Sequence, residues 1–524
     1  MFSCNLILEW IHDYALFCLV ELTSSFGKGA NLVLNECEHC QRLNYWKNGQ
    51  KWHKTYWKNG QNDVYLHWKN GQIMIKRKIT NKLRDFYHNS NKALLLTGAR
   101  QTGKSFSARH FGMTYFKHFA EINFIETPSA RNIFAHADNA KDILVRLSAY
   151  CQGAFVKGET LILLDEIQEC PEALTAMKFL VEEGSYRYIM SGSLLGVEMK
   201  DLRSAPVGYI DIWEMYPLDI EEFFEAVGVS DIVMKHIKES WEDMKPVDNV
   251  VHNKLMSILR LYLIVGGMPA AVQKYLETNN LQSVMEVQKA ILRLYQVDIA
   301  KYDPNNKLYI REIFNLIPPE LNAKNKRFIL KNLNENIKFS RNENSFIWLK
   351  DAGVALPTFS VEAPTTPLIL SRQRNLFKLF QNDVGLLAAT YADGIQLRIL
   401  DDDKDINFGA IYENLVAQEL HCHGFDLYYF NSKKQGEVDF VVEKSGHALP
   451  IEVKSGKAYQ RHNALSNIMN DQSYNIREAY VLSGANLKVV DRIKYLPVYM
   501  LMFVYKDIPT DIFVKVDLPG LSEE

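Results

Sequence analysis

Four stretches of this sequence carry residues whose types and spacing fit defined chemistry. The first, Gly98-Ala-Arg-Gln-Thr-Gly-Lys-Ser-Phe106, contains the pattern G-x-x-x-x-G-K-[ST]. Gly98 lets a chain leave a strand sharply, and Gly103 lets backbone approach a phosphate with no Cβ in the way. Backbone N–H groups then converge on the phosphates at a helix N-terminus. On this reading Gly98, Ala99, Arg100, Gln101, Thr102, Gly103, Lys104, Ser105 and Phe106 form a nucleotide site. Lys104 would place its ammonium on the β- and γ-phosphates, and the Ser105 hydroxyl would ligate Mg²⁺. The plainer alternative is a glycine turn before a helix. The apolar run Ala93–Thr97 ahead of the loop and the helical pattern behind it argue against that.

The second stretch is Thr160-Leu-Ile-Leu-Leu-Asp-Glu-Ile167, an apolar run ending in two acids. Fully buried strands read as continuous apolar runs, and ligands in open α/β sheets sit beyond the strands' C-terminal ends. Asp165 would hold the Mg²⁺ shell and Glu166 would polarise the water that attacks the γ-phosphate. The third, Tyr188-Ile-Met-Ser-Gly-Ser193, reads as another strand, with Ser191 or Ser193 as sensor of the γ-phosphate; a simple Ser-Gly turn explains it almost as well.

The fourth is a second acidic constellation. Gly436-Glu-Val-Asp-Phe-Val-Val442 and Leu449-Pro-Ile-Glu-Val-Lys-Ser455 are two extended runs joined by a turn at Lys444-Ser-Gly446, and Glu413 lies on a preceding helix. Glu452 and Lys454, two apart on a strand, share a face that Asp439 can reach from the partner strand. Asp439 and Glu452 would then make an oxygen site for Mg²⁺, with Lys454 beside it to orient a water. That is the equipment for phosphodiester hydrolysis. Two half-exposed strands with charges on their wet face remain the bland alternative.

The chain has 524 residues, enough for several domains, with 47% hydrophobic and 23% charged residues, as in a globular protein. A formal net charge of −2 gives no global attraction to nucleic acid, so any DNA contact must be local. Seven scattered cysteines and no membrane-spanning apolar run suggest a reducing, cytoplasmic setting without a membrane partner. Cys37, Cys40, His53 and His67 tempt a zinc reading, but the two histidines stand too far apart for a finger.

The elements that must position these residues fall in order. Residues 1–73 are atypical: Trp-Lys-Asn-Gly-Gln recurs at Trp46–Gln50, Trp57–Gln61 and Trp68–Gln72, with a spacing of eleven residues. Asn-Gly between aromatic runs signals hairpins, and a tryptophan-rich binding module is a second reading. Strict identity favours a third: translated upstream repeat DNA, with the working protein starting at Met74. Residues 74–230 alternate strands and helices, implying an α/β domain with a parallel sheet. A helical lid is expected at 231–305, where Gly266-Gly-Met-Pro-Ala270 reads as a turn rather than a site. Residues 306–370 suggest a winged helix whose Lys324, Lys326, Arg327, Lys331, Lys338 and Arg341 form a basic surface for DNA, or a helical spacer with a solvated face. Residues 371–510 hold the second acidic site.

Taken with Tyr216-Pro-Leu-Asp-Ile-Glu-Glu-Phe223 and Phe377-Lys-Leu-Phe-Gln-Asn-Asp-Val-Gly-Leu386, these motifs resemble a large prokaryotic family of AAA-like P-loop ATPases. The resemblance runs from about Met74 to Lys506 and implies a P-loop core, a lid, a winged helix and a C-terminal domain of unknown function. That last domain is similar to PD-(D/E)xK restriction-endonuclease-like folds. It implies ATP and Mg²⁺ as cofactors and Asp439, Glu452 and Lys454 as a catalytic trio, with Glu413 as accessory acid. The chain departs from the family at Ser204-Ala-Pro-Val-Gly-Tyr209, where many members carry Ala-Gly-Arg; Arg203 is a weak substitute for that arginine. The expected function is a DNA-associated ATPase coupled to a nuclease-like domain. The alternative is a nucleotide-gated switch for DNA or a partner protein, with room for an oligomer.

Overall fold

The computed structural model describes residues 40–47, 50–57, 74–136, 139–151, 155–193, 208–302, 307–323, 326–328, 345–346, 348–403, 408–456 and 458–507. They fall in two units, Met1–Met74 and Ile75–Glu524. In the first, β1 (Cys40–Lys47) pairs antiparallel with β2 (Gln50–Trp57), from Cys40↔Trp57 to Lys47↔Gln50. The two strands flank Asn48-Gly49, as the hairpin reading of the repeats expects; the third repeat, Cys37 and His67 lie outside the described residues.

The second unit begins with α1 (Ile79–Asn89) and a five-stranded sheet. Its strands are β3 (Ala93–Thr97), β4 (His118–Asn123), β5 (Thr160–Asp165), β6 (Arg187–Ser191) and β7 (Ile210–Glu214). They are all parallel, in the order β4-β5-β6-β3-β7. Successive residues of a strand face opposite sides, and here both sides are covered. Leu95, Ile162 and Leu164 meet the helices α3 (Ala140–Tyr150) and α4 (Pro171–Glu183). Leu94, Leu96, Leu161 and Leu163 meet α1 and α2 (Lys104–Tyr115). That double burial explains the unbroken apolar runs. The C-terminal ends of β3, β5 and β6 thereby line up, bringing three of the four chemical stretches to one edge.

A helical layer follows: α5 (Ile220–Ala226), α6 (Asp231–Glu242), α7 (Asn249–Val265), α8 (Pro269–Thr278), α9 (Leu281–Tyr302) and α10 (Lys307–Asn322). Asp219 and Asp248 cap α5 and α7 through backbone N–H groups. The remaining strands form one mixed sheet. They are β8 (Ala355–Val361), β9 (Arg372–Gln381), β10 (Tyr428–Ser432), β11 (Gly436–Lys444), β12 (His447–Val453), β13 (Ala479–Ser483), β14 (Lys488–Val490) and β15 (Ile493–Pro497). Helices α11 (Val384–Ala389), α12 (Ile395–Leu400), α13 (Gly409–Cys422) and α14 (Asn463–Asn470) complete it.

Two expectations change here. The extended piece expected to close a winged helix is β8, which pairs with β9 and also with β10. A boundary at 370 would cut between two paired strands; β9 is an edge strand of the large sheet, and its Phe380 packs on Phe440 of β11. Within the expected winged helix, residues 329–344 lie outside the described residues. The lid and the C-terminal sheet are also not separate domains, because one apolar core runs from Leu218 and Leu263 through Leu386 and Leu415 to Val504.

Gly266-Gly-Met-Pro is a turn, as read, and its glycines have a packing reason. A Cβ on Gly267 would lie 2.0 Å from the Leu218 carbonyl oxygen, and one on Gly266 would lie 2.2 Å from Asp383 Oδ1. Gly267 N donates to buried Asp383 Oδ2 at 2.6 Å. Among the described residues no single helix is long and apolar enough to cross a membrane.

Candidate active site and acidic cluster

Gly98 leaves β3 at φ +116°, where a Cβ would collide with Met215 O at 2.4 Å. Gln101 adopts φ +67° and Gly103 φ +90° before α2 begins. Lys104 Nζ donates to Gly98 O at 2.9 Å and Ala99 O at 2.7 Å, inside the curve of its own loop. Burial lowers its pKa to about 8, against the opposing pull of Glu166 and Asp165, while Arg100 pushes it further down. Phosphates would therefore meet a nearly buried ammonium already flanked by both acids of the second stretch.

Those acids hold different positions. Asp165 Oδ1 accepts from Ser105 Oγ at 2.7 Å and from Ser191 Oγ, and Asp165 Oδ2 accepts from Asn123 Nδ2 at 3.1 Å. The oxygens of Ser105 and Asp165 thus sit together, a hard donor set suited to Mg²⁺. Ser191, expected to sense the γ-phosphate, is turned to Asp165 instead, because its Oγ is buried beside that carboxylate. Glu166 is half-buried at φ +55°, a strained conformation for a glutamate, and its Oε2 accepts from Gln168 Nε2 at 2.6 Å. Ser193 Oγ accepts from Arg100 Nε at 3.3 Å. Phe106 is 41% exposed beside the loop.

Sequence reading missed the clasp around this loop. Arg77 Nη1 donates to Thr102 O at 3.0 Å, Nη2 to Tyr216 O at 2.7 Å and Nε to Glu222 Oε2 at 3.1 Å. Helix α1 begins only at Ile79, since Arg77 and Lys78 are spent on these tethers; Lys78 Nζ reaches Asp219 at 2.6 Å. The one local signal is the basic run Lys76-Arg77-Lys78 before α1. A cleft of about 510 Å³ opens at the root of the loop, lined by Gly98, Glu214, Tyr216, Lys350, Arg372 and His421 among others; Lys104 and Ser105 do not line it.

The second constellation also assembles. β11 and β12 pair antiparallel across the Lys444–Gly446 turn, with Phe440 opposite Ile451. Asp439 Oδ2 accepts from Val453 N at 2.9 Å, and Lys454 Nζ lies 2.5 Å from Glu452 Oε1. Burial, then Asp439, lifts Glu452 to about 8. Burial and Asp439 likewise raise Glu413, which is buried on α13.

Sequence reading did not foresee Lys378, wholly buried on β9. Its Nζ lies 2.8 Å from Glu437 Oε1 and 3.7 Å from Glu413 Oε2. Burial opposes its charge, but Glu413, Asp439 and Glu437 more than compensate and raise its pKa. Lys326, expected on a basic DNA-facing surface, is ion-paired with Glu413; Lys324, Lys331, Lys338 and Arg341 lie outside the described residues. Glu413 is therefore the shared anion of two lysines. Among the described residues no three His, Cys, Asp or Glu side chains form a ready metal cage. The buried Glu413 Oε2 and Glu452 Oε2 nevertheless lack hydrogen-bond donors, leaving acceptors for a cation or a proton.

Residues 90–224 match a family described as an AAA domain, and residues 256–397 and 408–501 match two domains of unknown function. No curated protein matches the chain. Similar solved structures include the Walker-type ATPase of Pyrococcus abyssi, at 15% identity and TM-score 0.36, covering 60% of this chain and 95% of that one. The ORC2 protein of Aeropyrum pernix is similar at 13% identity and TM-score 0.26, covering 66% and 95%. The RuvB Holliday junction branch migration motor of Thermotoga maritima is similar at 16% identity and TM-score 0.25, covering 58% and 92%.

Proposed function

We propose that this chain, whose residues 90–224 match an AAA domain, binds and hydrolyses ATP and uses the cycle to act on the helical layer and C-terminal sheet. One observation carries the reading: Ser105 and Asp165 share a 2.7 Å hydrogen bond at the strand ends, directly after the lysine of a glycine-bounded loop. Ser105 and Asp165 would hold Mg²⁺, which when bound neutralises charge on the phosphates. Lys104 gives up two loop carbonyls to meet the β- and γ-phosphates. Glu166, steered by Gln168, accepts the proton of the attacking water. Asn123 and Ser191 keep Asp165 oriented.

The test is ATP turnover by the full chain with Mg²⁺. Lys104→Ala should abolish nucleotide binding, while Glu166→Gln should bind ATP and turn over at least about 100-fold more slowly. Turnover unchanged in Lys104→Ala would remove the reading.

The convergence of Asp439, Glu452 and Lys454 favours a second reading of the output, in which the C-terminal site cuts DNA with Mg²⁺ held by Asp439 and Glu452. The competing reading is a nucleotide-gated switch that docks DNA or a partner protein. Cleavage of linear, branched or single-stranded DNA that disappears in Lys454→Ala supports the nuclease. ATP turnover without cleavage leaves the switch.

A further inference from the structure

The phosphate loop is held to the helical layer by one of its own residues. Arg100 Nη1 lies 3.0 Å from Asp298 Oδ1, and the Arg100 carbonyl accepts from Tyr295 Oη at 3.1 Å. Tyr295 Oη in turn accepts from Asn382 Nδ2 at 3.3 Å. Tyr295 and Asp298 are three apart on α9 and so share a face. That face grips both the backbone and the side chain of a single loop residue. Asp298 is 4% exposed, so its charge is sustained by partners rather than by water.

The Arg100 guanidinium sits close to the catalytic groups. It hydrogen-bonds Ser193 at the end of β6 and disfavours the charge on Lys104. A phosphate seated on Lys104 would lie within reach of it. A terminal phosphate offers a guanidinium more charge and more acceptor oxygens than one carboxylate does.

We propose that Asp298 competes with the terminal phosphate of ATP for the Arg100 guanidinium, so that ATP, and not ADP, breaks the ion pair between the phosphate loop and α9. The proposal rests on the ATP-binding reading above. Asp298 acts through Arg100 and is a positioning residue. Its release is what distinguishes the triphosphate state for the second half of the chain, whose core contains α9.

The experiment measures ATP and ADP dissociation constants for the full chain with Mg²⁺, beside Lys104→Ala, Asp298→Asn, Arg100→Gln and the Arg100→Gln/Asp298→Asn double variant. Binding by wild type that is lost in Lys104→Ala establishes the nucleotide site independently; no such binding removes that reading and this proposal together. Asp298→Asn preserves shape and removes the competitor, so ATP affinity should rise about tenfold with ADP affinity unchanged within about twofold. Arg100→Gln should bring ATP and ADP affinities together, and adding Asp298→Asn to it should change nothing. ATP and ADP affinities that shift together in Asp298→Asn, or that do not shift, overturn the proposal. Should Asp298→Asn fail to fold, an Arg100→Gln chain that keeps the wild-type preference for ATP overturns it equally.

Discussion

Glu452 shows what burial does to a single group. Its carboxyl moves from an ordinary 4.5 to about 8 because it is desolvated beside Asp439. The folded chain thus holds that proton more tightly than the unfolded chain does. The resulting stabilisation is complete below the ordinary value and is lost as pH rises toward 8. Between about pH 5 and about pH 9, wild type should lose on the order of 4 kcal/mol relative to Glu452→Gln. Urea unfolding across that range checks it; parallel pH profiles for the two proteins would contradict it. If a cation shares the site, saturating Mg²⁺ should flatten the wild-type slope, since ion binding displaces the proton.

At the scale of elements, the turn between α7 and α8 joins segments far apart in sequence. Gly267 lies against the Leu218 carbonyl and donates to Asp383, which also caps α11 through Leu386 N. A methyl group there has only backbone to displace, so Gly267→Ala should cost about 2–3 kcal/mol. Gly456→Ala, with open space around it, should stay within about 0.5 kcal/mol. Denaturant midpoints of the two variants make the comparison. The turn was legible in the sequence because Gly-Gly followed by Pro is local chemistry, but Asp383 as its partner was not, since nothing local links residues 116 apart. The same contrast runs through both sites. The loop, the β5 acids and the β11–β12 pairing follow from period and spacing. Lys378, Arg77 and Asp298 do not, because each is defined by a partner on a distant element. The β8 run misled for the same reason: a strand's sequence reveals that it pairs, not with which sheet.

For the second unit as a whole, Arg77 is the pin between its first residues and the loop. It serves two carbonyls and a buried carboxylate at once, a geometry that suits a planar fork and that an ammonium cannot reproduce. Arg77→Ala leaves Glu222 buried without its guanidinium and should cost about 3 kcal/mol; Arg77→Lys should recover only part. Thermal unfolding of the variants tests this, and an Arg77→Ala protein as stable as wild type would show the clasp to be incidental.

The continuous core has a consequence for how this protein is made. Leu218 and Leu263 share it with Met500, Leu501 and Val504, and Tyr505 Oη accepts from Lys78 Nζ at 2.9 Å. The helical layer therefore waits, during synthesis, for partners translated more than two hundred residues later. The α/β sheet takes all its strands from residues 93–214 and can close before those partners are made. A message truncated just before Val498 would release a chain whose glycine-bounded loop is folded and whose helices have nothing to close upon, a substrate for chaperones and proteases rather than a shortened working protein.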